Sequence, residues 1–327
     1  MSDDNLLVIE DLSQKYVASK SLMKNKRQYV NAVNHVSFNI KRGETLGLVG
    51  ESGCGKSTLG RTILQLIPKT GGKIYFEGQD LDELNKNEIR DLRKKMQIIF
   101  QDPYSCLNPR MNVLELVKEP LDVFDIGTQE ERINKVKELL EIVGLGEQHF
   151  TRYPHEFSGG QRQRIAIARA LIMKPEFVVC DEPVSALDVS VRASVLNLMR
   201  KLQKDLGLTY LFISHDLSVV KYISDKVAVM YLGNIVELTD KERLYDSPLH
   251  PYTKALLSAI PLPDPDVERD LQIIEGDLPS PYDPPSGCPF HTRCKYCTEK
   301  CKKQKPELRE VFPEHYAACH LQETFYF

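Results

Sequence analysis

Short apolar runs alternate with helical patterns along most of the chain. We predict strands in five such runs that are rich in β-forming residues, at positions 45–49, 96–100, 177–180, 209–213 and 226–230. The stretches between them contain helical patterns whose helices would cover the sheet. This alternation predicts an α/β fold with a mostly parallel sheet.

Residues 130–143 form the clearest predicted helix. Glu and Lys fill most of its polar positions, and apolar side chains recur at spacings of three and four, at Ile133, Val136, Leu139, Leu140 and Val143. Gly144 follows as a suitable C-terminal cap. Helix-compatible patterns also occupy residues 58–67 and 161–173.

The distribution of proline predicts where the main domain ends. The chain has 327 residues, enough to bury one full core and carry a modest extension. Ten of its 19 prolines lie between Pro248 and Pro289, a density that regular helices and central strands do not accommodate. We therefore predict a main domain at residues 1–247, an extension at 248–327, and no regular helix in the proline-rich passage.

Charge and hydropathy exclude several classes of protein. A net charge of −3 and a pI near 6.3 provide no basic field for gripping nucleic acid, so neither DNA nor RNA is an expected partner. No run of 18 consecutive apolar residues occurs, and the acidic, polar first five residues do not resemble a secretory signal. We expect the protein to lie in the cytosol.

Residues 50–57 read GESGCGKS and fit the pattern G-x-x-x-x-G-K-S/T, between a predicted strand and a helix-compatible stretch. Glycines in such a loop let backbone N–H groups curl around a phosphate at a helix N-terminus. Lys56 would reach the β- and γ-phosphates, and Ser57 would give its hydroxyl to Mg²⁺. The residues expected to contact the nucleotide are Gly50, Ser52, Gly53, Cys54, Gly55, Lys56, Ser57 and Thr58.

Residues 177–182 read FVVCDE, an apolar strand that ends in two carboxylates. Strand ends of this kind open onto the ligand crevice of a parallel sheet. Asp181 is placed to hold the Mg²⁺ shell, and Glu182 is placed to polarise the water that attacks the γ-phosphate. The two segments together predict hydrolysis of a nucleoside triphosphate.

Residues 158–162 read SGGQR and open the helical pattern at 161–173. A small polar cap and two glycines at a helix N-terminus favour phosphate. With the two earlier segments, this one resembles the signature of ABC ATPases, in which the cap of one subunit closes over the ATP bound to the other. The resemblance implies a P-loop NTPase fold with a helical subdomain at about 102–175 and an antiparallel β portion at the N-terminus.

The same resemblance implies roles for further residues. A partner subunit's ATP would be contacted by Ser158, Gly159, Gly160 and Gln161. Residues 185–188 (SALD) resemble the loop that joins the two composite sites. Tyr16 would stack on adenine.

Two residues that follow predicted strands match catalytic positions of this family. Gln101 matches the glutamine that senses Mg²⁺ and the attacking water, and His215 matches the histidine that contacts the γ-phosphate. The expected catalytic residues are therefore Gln101, Glu182 and His215. The expected Mg²⁺ ligands are Ser57, Gln101 and Asp181.

Two further segments resemble the ATPase subunits of dipeptide and oligopeptide permeases. Residues 153–157 (YPHEF) precede the signature as in one member of each subunit pair, and residues 250–253 (HPYT) match the C-terminal extension of that group. The resemblance implies an ATP-hydrolysing subunit that energises import of dipeptides or oligopeptides from the cytoplasmic face of the membrane. It also implies a second ATPase subunit, two permease subunits and an extracytoplasmic peptide-binding protein.

Other functions compete with peptide import. Nickel chelates are an alternative cargo, because the permease and the binding protein select the substrate. A soluble ABC clamp of translation or DNA repair is the alternative class, but such proteins carry two cassettes or long coiled-coil arms. A cassette that binds ATP without cleaving it conflicts with intact Lys56, Asp181, Glu182 and His215.

The apolar residues after Gln101 have two interpretations. In such ATPases the helical insertion receives a short helix of the permease, so exposed members would form a coupling groove. The same side chains are equally compatible with the core. They are Tyr104, Leu107, Met111, Val113 and Leu114.

Five of the eight cysteines crowd the last 40 residues. In a reducing compartment such a group suggests metal ligation more than disulfides. The spacing of Cys288, Cys294, Cys301 and Cys319 resembles that of peptide-permease ATPases, some of which hold a 4Fe-4S cluster. Zn²⁺, disulfides or free thiols are the alternatives, and Cys297 is available to replace a neighbouring ligand.

Overall fold

The computed structural model describes residues 4–17, 29–260 and 274–325. Its strands are β1 (Asn5–Val17), β2 (Tyr29–Lys41), β3 (Thr45–Val49), β4 (Gly71–Phe76), β5 (Gln79–Asp80), β6 (Met96–Ile99), β7 (Phe177–Asp181), β8 (Thr209–Ser214), β9 (Lys226–Tyr231), β10 (Asn234–Asp240), β11 (Arg309–Phe312) and β12 (His315–Ala317). The five predicted strands are thus confirmed to within one residue at each end. In β6 only Met96 and Ile99 are buried, whereas the other four consist largely of buried apolar residues, and every residue of β3 and β7 is buried.

The helices between and after these strands are short to medium in length. They are α1 (Lys56–Ile63), α2 (Lys86–Lys95), α3 (Pro103–Cys106), α4 (Val113–Val123), α5 (Gln129–Ile142), α6 (Gly159–Leu171), α7 (Val189–Leu206), α8 (Leu217–Ile223), α9 (Lys241–Asp246), α10 (Pro251–Ser258) and α11 (Glu299–Lys303). Short 3₁₀ turns occupy Leu81–Glu83, Glu147–His149, Pro154–Glu156, His291–Arg293 and His320–Phe325.

Helix α5 confirms the clearest helical pattern of the sequence. It begins one residue earlier than predicted, because Thr128 and Glu131 form a capping box around its first turn. Val136 and Leu140 are fully buried, as their spacing predicts. Gly144 follows with φ of 81°, the left-handed conformation in which glycine ends helices.

The described residues divide into two compact units. The first takes residues up to 40, 45–82 and from 214 onward. It contains an antiparallel sheet with the strand order β2-β1-β4-β5, and a ladder in which β3 pairs parallel with β9. Strand β9 pairs antiparallel with β10, β10 with β12, and β12 with β11.

The second unit takes residues 41–44 and 83–213. Strands β6, β7 and β8 pair in parallel, with Ile99 opposite Cys180 and Asp181 opposite Ile213. Their carboxyl ends therefore lie at one edge. Helices α3 to α6 all fall in the chain between β6 and β7.

The apolar residues after Gln101 divide between the two interpretations. Leu107 and Val113 are 2% and 0% exposed and belong to the core. Tyr104 is 64% exposed, and the Arg162 guanidinium lies 3.8 Å from its ring centroid. Met111 and Leu114 are half-buried. Fewer of these side chains are therefore exposed, and available to a coupling groove, than the sequence pattern alone would allow.

The expectation that the proline-rich passage lacks a regular helix is wrong for its first part. Helix α10 begins at Pro251 and is capped by His250. Proline fits this position because the N–H that it lacks would have no partner in the first helical turn. Strand β12, which follows Ser247 in the chain, pairs with β10, which precedes it. The domain boundary after Ser247 therefore stays a prediction.

Candidate functional site

The phosphate loop, residues 50–57, connects β3 to α1 in the first unit. Gly50, Gly53 and Gly55 all have positive φ angles, of 154°, 80° and 108°. A Cβ on Gly50 would lie 2.2 Å from the carbonyl oxygen of Met230, and one on Gly55 would lie 2.0 Å from that of Ala32. Both positions therefore require glycine.

The N-terminus of α1 provides the polar surface of this loop. The capping position is Gly55, which has no side chain to accept from the N–H groups of the first turn. Those groups and the helix dipole favour an anion. Lys56 is 4% exposed, and its Nζ donates to the carbonyl oxygens of Gly50 at 2.7 Å and Glu51 at 2.9 Å. The amine is thus already held within the loop.

The other predicted contact residues of the loop differ in exposure. Ser52 and Gly53 are exposed, and Ser57 and Thr58 are half-buried. Cys54 is 2% exposed, and burial raises the pKa of its thiol against the opposing charge of Lys56. The Cys54 side chain therefore faces the protein, so only its backbone is suited to a phosphate.

In the second unit, Asp181 and Glu182 stand at the carboxyl end of β7. Asp181 is 1% exposed. Glu182 has φ of 47°, a left-handed conformation that costs a non-glycine residue about 1–2 kcal/mol. Its backbone is held in place, because its N–H donates to Ile213 at 3.0 Å and its carbonyl accepts from the Ser185 hydroxyl at 3.0 Å.

Gln101 and Glu182 lie together although they are 81 residues apart. The Gln101 Nε2 donates to Glu182 Oε2 at 3.2 Å. This contact follows from the parallel pairing of β6 with β7, which ends both strands at the same edge. Two of the three predicted catalytic residues are therefore neighbours in the structure.

The predicted signature forms the start of α6. The Ser158 hydroxyl accepts from the N–H of Gln161 at 3.4 Å, and the Gln161 side chain accepts from the N–H of Ser158 at 3.1 Å. Ser158 is exposed, whereas Gly160 is buried and a Cβ there would lie 2.2 Å from Val191 Cγ1. Gly160 thus allows α6 to approach α7, and Gly159 beside it is half-buried.

His215 and Tyr16 are both exposed side chains of the first unit. His215 lies in the turn before α8, where Asp216 caps the helix by accepting from the N–H groups of Ser218 and Val219. Tyr16 is 39% exposed near the end of β1. Their roles toward a nucleotide stay predictions.

Comparison with known proteins identifies the family to which this chain belongs. Residues 33–185 match the model described as ABC transporter, and residues 236–301 match the model described as oligopeptide/dipeptide transporter, C-terminal region. The oligopeptide transport ATP-binding protein AppF of Bacillus subtilis is 53% identical over 98% of both chains. The chain belongs to the oligopeptide transport ATP-binding family of ABC transporters. The predicted family is confirmed.

Other similar proteins agree with this assignment. The oligopeptide transport ATP-binding protein OppF of Haemophilus influenzae is 51% identical over 94% of both chains. A dimeric, post-hydrolysis structure of the ATP-binding cassette MJ0796 with ADP and Pi has a TM-score of 0.64 at 29% identity, covering 72% of this chain and 98% of that one. The structure of cbiO1 from Clostridium perfringens has the same TM-score and identity and covers 75% and 92%. The P-loop NTPase fold of ABC ATPases is confirmed.

In this family member, sequence reasoning missed the residues that support the phosphate loop. The Glu51 N–H donates to the Tyr252 hydroxyl at 2.9 Å, and the Glu51 carboxylate accepts two hydrogen bonds from Arg293. The match of residues 250–253 to the C-terminal extension of peptide-permease ATPases included Tyr252 but suggested no role for it. No local pattern marks Arg293, which is one of many basic residues.

The four tail cysteines predicted as ligands lie near one another. Burial chiefly, and then the neighbouring thiols of Cys319, Cys301 and Cys294, raise the pKa of Cys288 to about 12. Burial and the thiols of Cys294 and Cys301 likewise raise the pKa of Cys319 to about 11. Burial chiefly, and then the thiols of Cys301 and Cys297, raise the pKa of Cys294.

These cysteines do not converge as metal ligands. Within residues 4–17, 29–260 and 274–325, no group of three or more His, Cys, Asp or Glu side chains is arranged to hold a metal ion. The predicted 4Fe-4S or Zn²⁺ site is therefore not supported by this geometry. The thiols are also unpaired, since all eight cysteines are free rather than joined in disulfides.

In the part of the chain that the structure describes, no helix has both the length and the apolar character needed to cross a bilayer.

Proposed function

We propose that this chain binds and hydrolyses ATP as the energising subunit of an ABC importer for oligopeptides. The proposal rests chiefly on the hydrogen bond between Gln101 and Glu182, which places a carboxylate and an amide at one strand edge. Family membership and the phosphate loop support the same conclusion. Neither alone would assign a role to Glu182.

The phosphate loop performs the binding step. The phosphates of ATP would replace the carbonyl oxygens of Gly50 and Glu51 as partners of the Lys56 amine. That exchange changes the partners of a cation that is already desolvated, so binding does not carry the full cost of burying the amine. The N–H groups at the start of α1 then face the negative charge.

The donors predicted for Mg²⁺ suit that ion in chemistry. Ser57, Asp181 and Gln101 offer a hydroxyl, a carboxylate and an amide oxygen, which are the hard oxygen ligands that Mg²⁺ prefers. Bound with ATP, the ion would neutralise charge on the phosphates. Gln101 donates to Glu182 through its nitrogen, so its oxygen is the atom suited to the metal.

Glu182 acts on the attacking water. Its carboxylate would accept a proton from a water in line with the γ-phosphate, while Gln101 orients that carboxylate. The left-handed backbone of Glu182 is fixed by hydrogen bonds to Ile213 and Ser185, and its carboxylate accepts from Gln101. His215, exposed in its turn, would contact the γ-phosphate.

The signature residues are proposed to act on a second subunit. Ser158 is exposed at a helix N-terminus, and Gly159, Gly160 and Gln161 follow it in the first turn. These residues would close over ATP held by a partner ATPase. The dimeric state of the ATP-binding cassette MJ0796 supports this arrangement.

The substrate class and the remaining partners come from the relatives. AppF and OppF are named as oligopeptide transport proteins, and the match at residues 236–301 is to an oligopeptide/dipeptide transporter region. Peptides are therefore favoured over nickel chelates, and a transport role over a soluble clamp. We further propose two permease subunits, an extracytoplasmic peptide-binding protein and a peripheral location at the cytoplasmic membrane face.

For the tail, we propose that Cys288, Cys294, Cys301 and Cys319 hold a 4Fe-4S cluster, with Zn²⁺ as the alternative. The contributions of neighbouring thiols to the raised pKa values of Cys288 and Cys319 support a shared site. The absence of a convergent ligand group in the described residues counts against a site that is already formed without the metal. Such a group would cross-link a tail with few apolar residues. Iron and zinc analysis of anaerobically purified protein tests this, and a metal-free protein would end the proposal.

The test of the ATPase assignment is Glu182→Gln. The amide keeps the size of the side chain and an oxygen that accepts from Gln101, but it cannot take a proton. We expect ATP binding to be retained and turnover by the reconstituted transporter to fall at least about 100-fold. Glu138→Gln, on the exposed face of α5, is the matched control. Undiminished turnover in Glu182→Gln would refute the assigned role.

A further inference from the structure

Glu51, the second residue of the phosphate loop, is held at every polar group. Its N–H donates to the Tyr252 hydroxyl at 2.9 Å, and its carbonyl oxygen accepts from Lys56 Nζ at 2.9 Å. Its carboxylate accepts from the two terminal nitrogens of Arg293, at 2.7 and 3.1 Å. Two of these three partners come from more than 200 residues further along the chain.

Arg293 and Glu51 form a bidentate ion pair that has little exposure to water. The side chains of Arg293 and Glu51 are 8% and 28% exposed. Paired hydrogen bonds of this kind fix both distance and orientation, which a single lysine contact does not. Removing one partner also leaves the other charge half-buried without compensation.

Tyr252 belongs to an aromatic cluster behind the loop. It is fully buried, and its ring centroid lies 4.7 Å from that of Tyr231 and 5.4 Å from that of Phe290. Phe290 in turn lies 5.3 Å from Tyr231, so the three rings pack as a triangle. Tyr231 ends β9, the strand that pairs with β3 immediately before the loop. The hydroxyl that holds Glu51 is therefore rigidly placed.

We propose that Tyr252 and Arg293 are positioning residues of the ATP site, which hold the phosphate loop through Glu51. Tyr252 fixes the backbone of Glu51, and Arg293 fixes its side chain. The Glu51 carbonyl is one of three acceptors of the Lys56 amine, with the Gly50 carbonyl and the Cys54 thiol, so its position helps to determine where that amine stands before ATP binds. The inference rests on the proposed nucleotide site and adds to it a dependence on the C-terminal part of the chain.

Arg293→Met is the first test, with binding of a fluorescent ATP analogue and steady-state hydrolysis as separate measurements. Methionine keeps much of the apolar stem but removes both donors. We expect the Kd for the nucleotide to rise at least about fivefold, with kcat at saturating ATP changed less than about twofold. A merely structural loss would lower the active fraction without changing Kd. An unchanged Kd would overturn the proposal.

Glu51→Gln removes the same ion pair from the other side. We expect it to raise Kd about as much as Arg293→Met, and the double variant to be no weaker than either single one. Additive effects would mean that the two residues act separately. Should Arg293→Met fail to fold, the comparison of Glu51→Gln with the parent protein still decides the question. Arg293→Lys is expected to restore only part of the affinity.

Two controls separate the possible failures. Lys302→Met removes an exposed charge from the same region, where Lys302 contacts Glu299 at 2.6 Å, and should leave Kd unchanged. Lys56→Ala should abolish binding, and retained binding there would refute the proposed nucleotide site itself. If Lys56→Ala abolishes binding but Arg293→Met leaves the Kd unchanged, only the positioning role is refuted.

Discussion

The phosphate loop and the cysteine tail both have the residues expected of a binding site, but only the loop has the geometry. The glycines of the loop adopt positive φ angles and Lys56 is already held inside it. In the tail, burial and then neighbouring thiols raise the pKa values of Cys288 and Cys319, but the described ranges contain no convergent group of three ligands. A site made of backbone amides forms when the chain folds. A site made of thiolates requires a bound cation to offset the negative charge of its ligands.

The physical reason is the charge that each site must carry. Backbone N–H groups are dipoles that hydrogen-bond neighbours or water in the absence of a ligand. Burial, and then the neighbouring thiols, raise the pKa of Cys288 to about 12, so this thiol stays neutral at pH 7. Only a bound cation would make four adjacent thiolates favourable. Four substitutions test this contrast.

The largest effect is expected for Gly55→Ala in the phosphate loop. The added Cβ would meet the Ala32 carbonyl oxygen at 2.0 Å, and alanine disfavours φ of 108°. We expect a loss of about 2–5 kcal/mol in the free energy of unfolding and at least about 100-fold weaker ATP binding. Gly43→Ala is the control, because its φ is 74° but a Cβ there has open space. Equal effects of the two substitutions would contradict the clash as the cause.

In the tail, Cys288→Ala is expected to act on metal binding and on little else. If the four cysteines share a metal, losing one ligand should weaken its retention at least about 10- to 100-fold, with a lower Tm for the metal-loaded protein. Metal content and thermal unfolding are measured on anaerobically purified protein. The metal-free forms of parent and variant should unfold at similar temperatures, and a large difference between them would assign Cys288 to ordinary packing.

The segment between the loop and the tail should be sensitive to acid through His250. Burial lowers the pKa of His250 to about 4 in the folded protein, below its ordinary value of 6.5. Folding therefore favours the neutral imidazole of His250. The contribution of this group to the stability of the folded protein is complete above pH 6.5 and is lost as the pH falls toward 4. The shift corresponds to about 3 kcal/mol.

His250→Asn tests this acid sensitivity. His250 Nδ1 accepts from the N–H of Tyr252 at 3.1 Å, and an asparagine can cap helix α10 in the same way without titrating. Urea unfolding from pH 7 to pH 4 should show a smaller decline in the variant. An unchanged decline would mean that groups other than His250 carry the acid sensitivity.

The smallest effect is expected for Cys54→Ala, a cysteine substitution within the loop itself. The Cys54 side chain is buried and only its backbone is suited to phosphate, so ATP affinity should change less than about threefold. Equilibrium binding of ATP measures it. A loss as large as that of Gly55→Ala would show that the loop depends on this side chain, which would remove the contrast with the tail.

Local patterns in the sequence predicted much of the fold. Strand β7 and the carboxylates after it were predicted from a single apolar run, because side-chain periodicity and strand ends are local properties. Helix α5 was predicted within a residue for the same reason. Helix α10 was missed, because the density of proline was judged over the passage rather than by the position of Pro251 in the first turn.

The sequence by itself determined the chemistry of the proposed nucleotide site: the glycines and Lys56 lie within one short segment, and the paired carboxylates lie within another. Tertiary structure alone decided which distant residues complete or support these segments. Gln101 meets Glu182 across 81 residues, and Arg293 meets Glu51 across 242. Such contacts depend on strand pairing and packing, which no local pattern of polar and apolar residues encodes. The convergence proposed for the tail cysteines would require one factor more, a metal ion whose charge makes adjacent thiolates favourable.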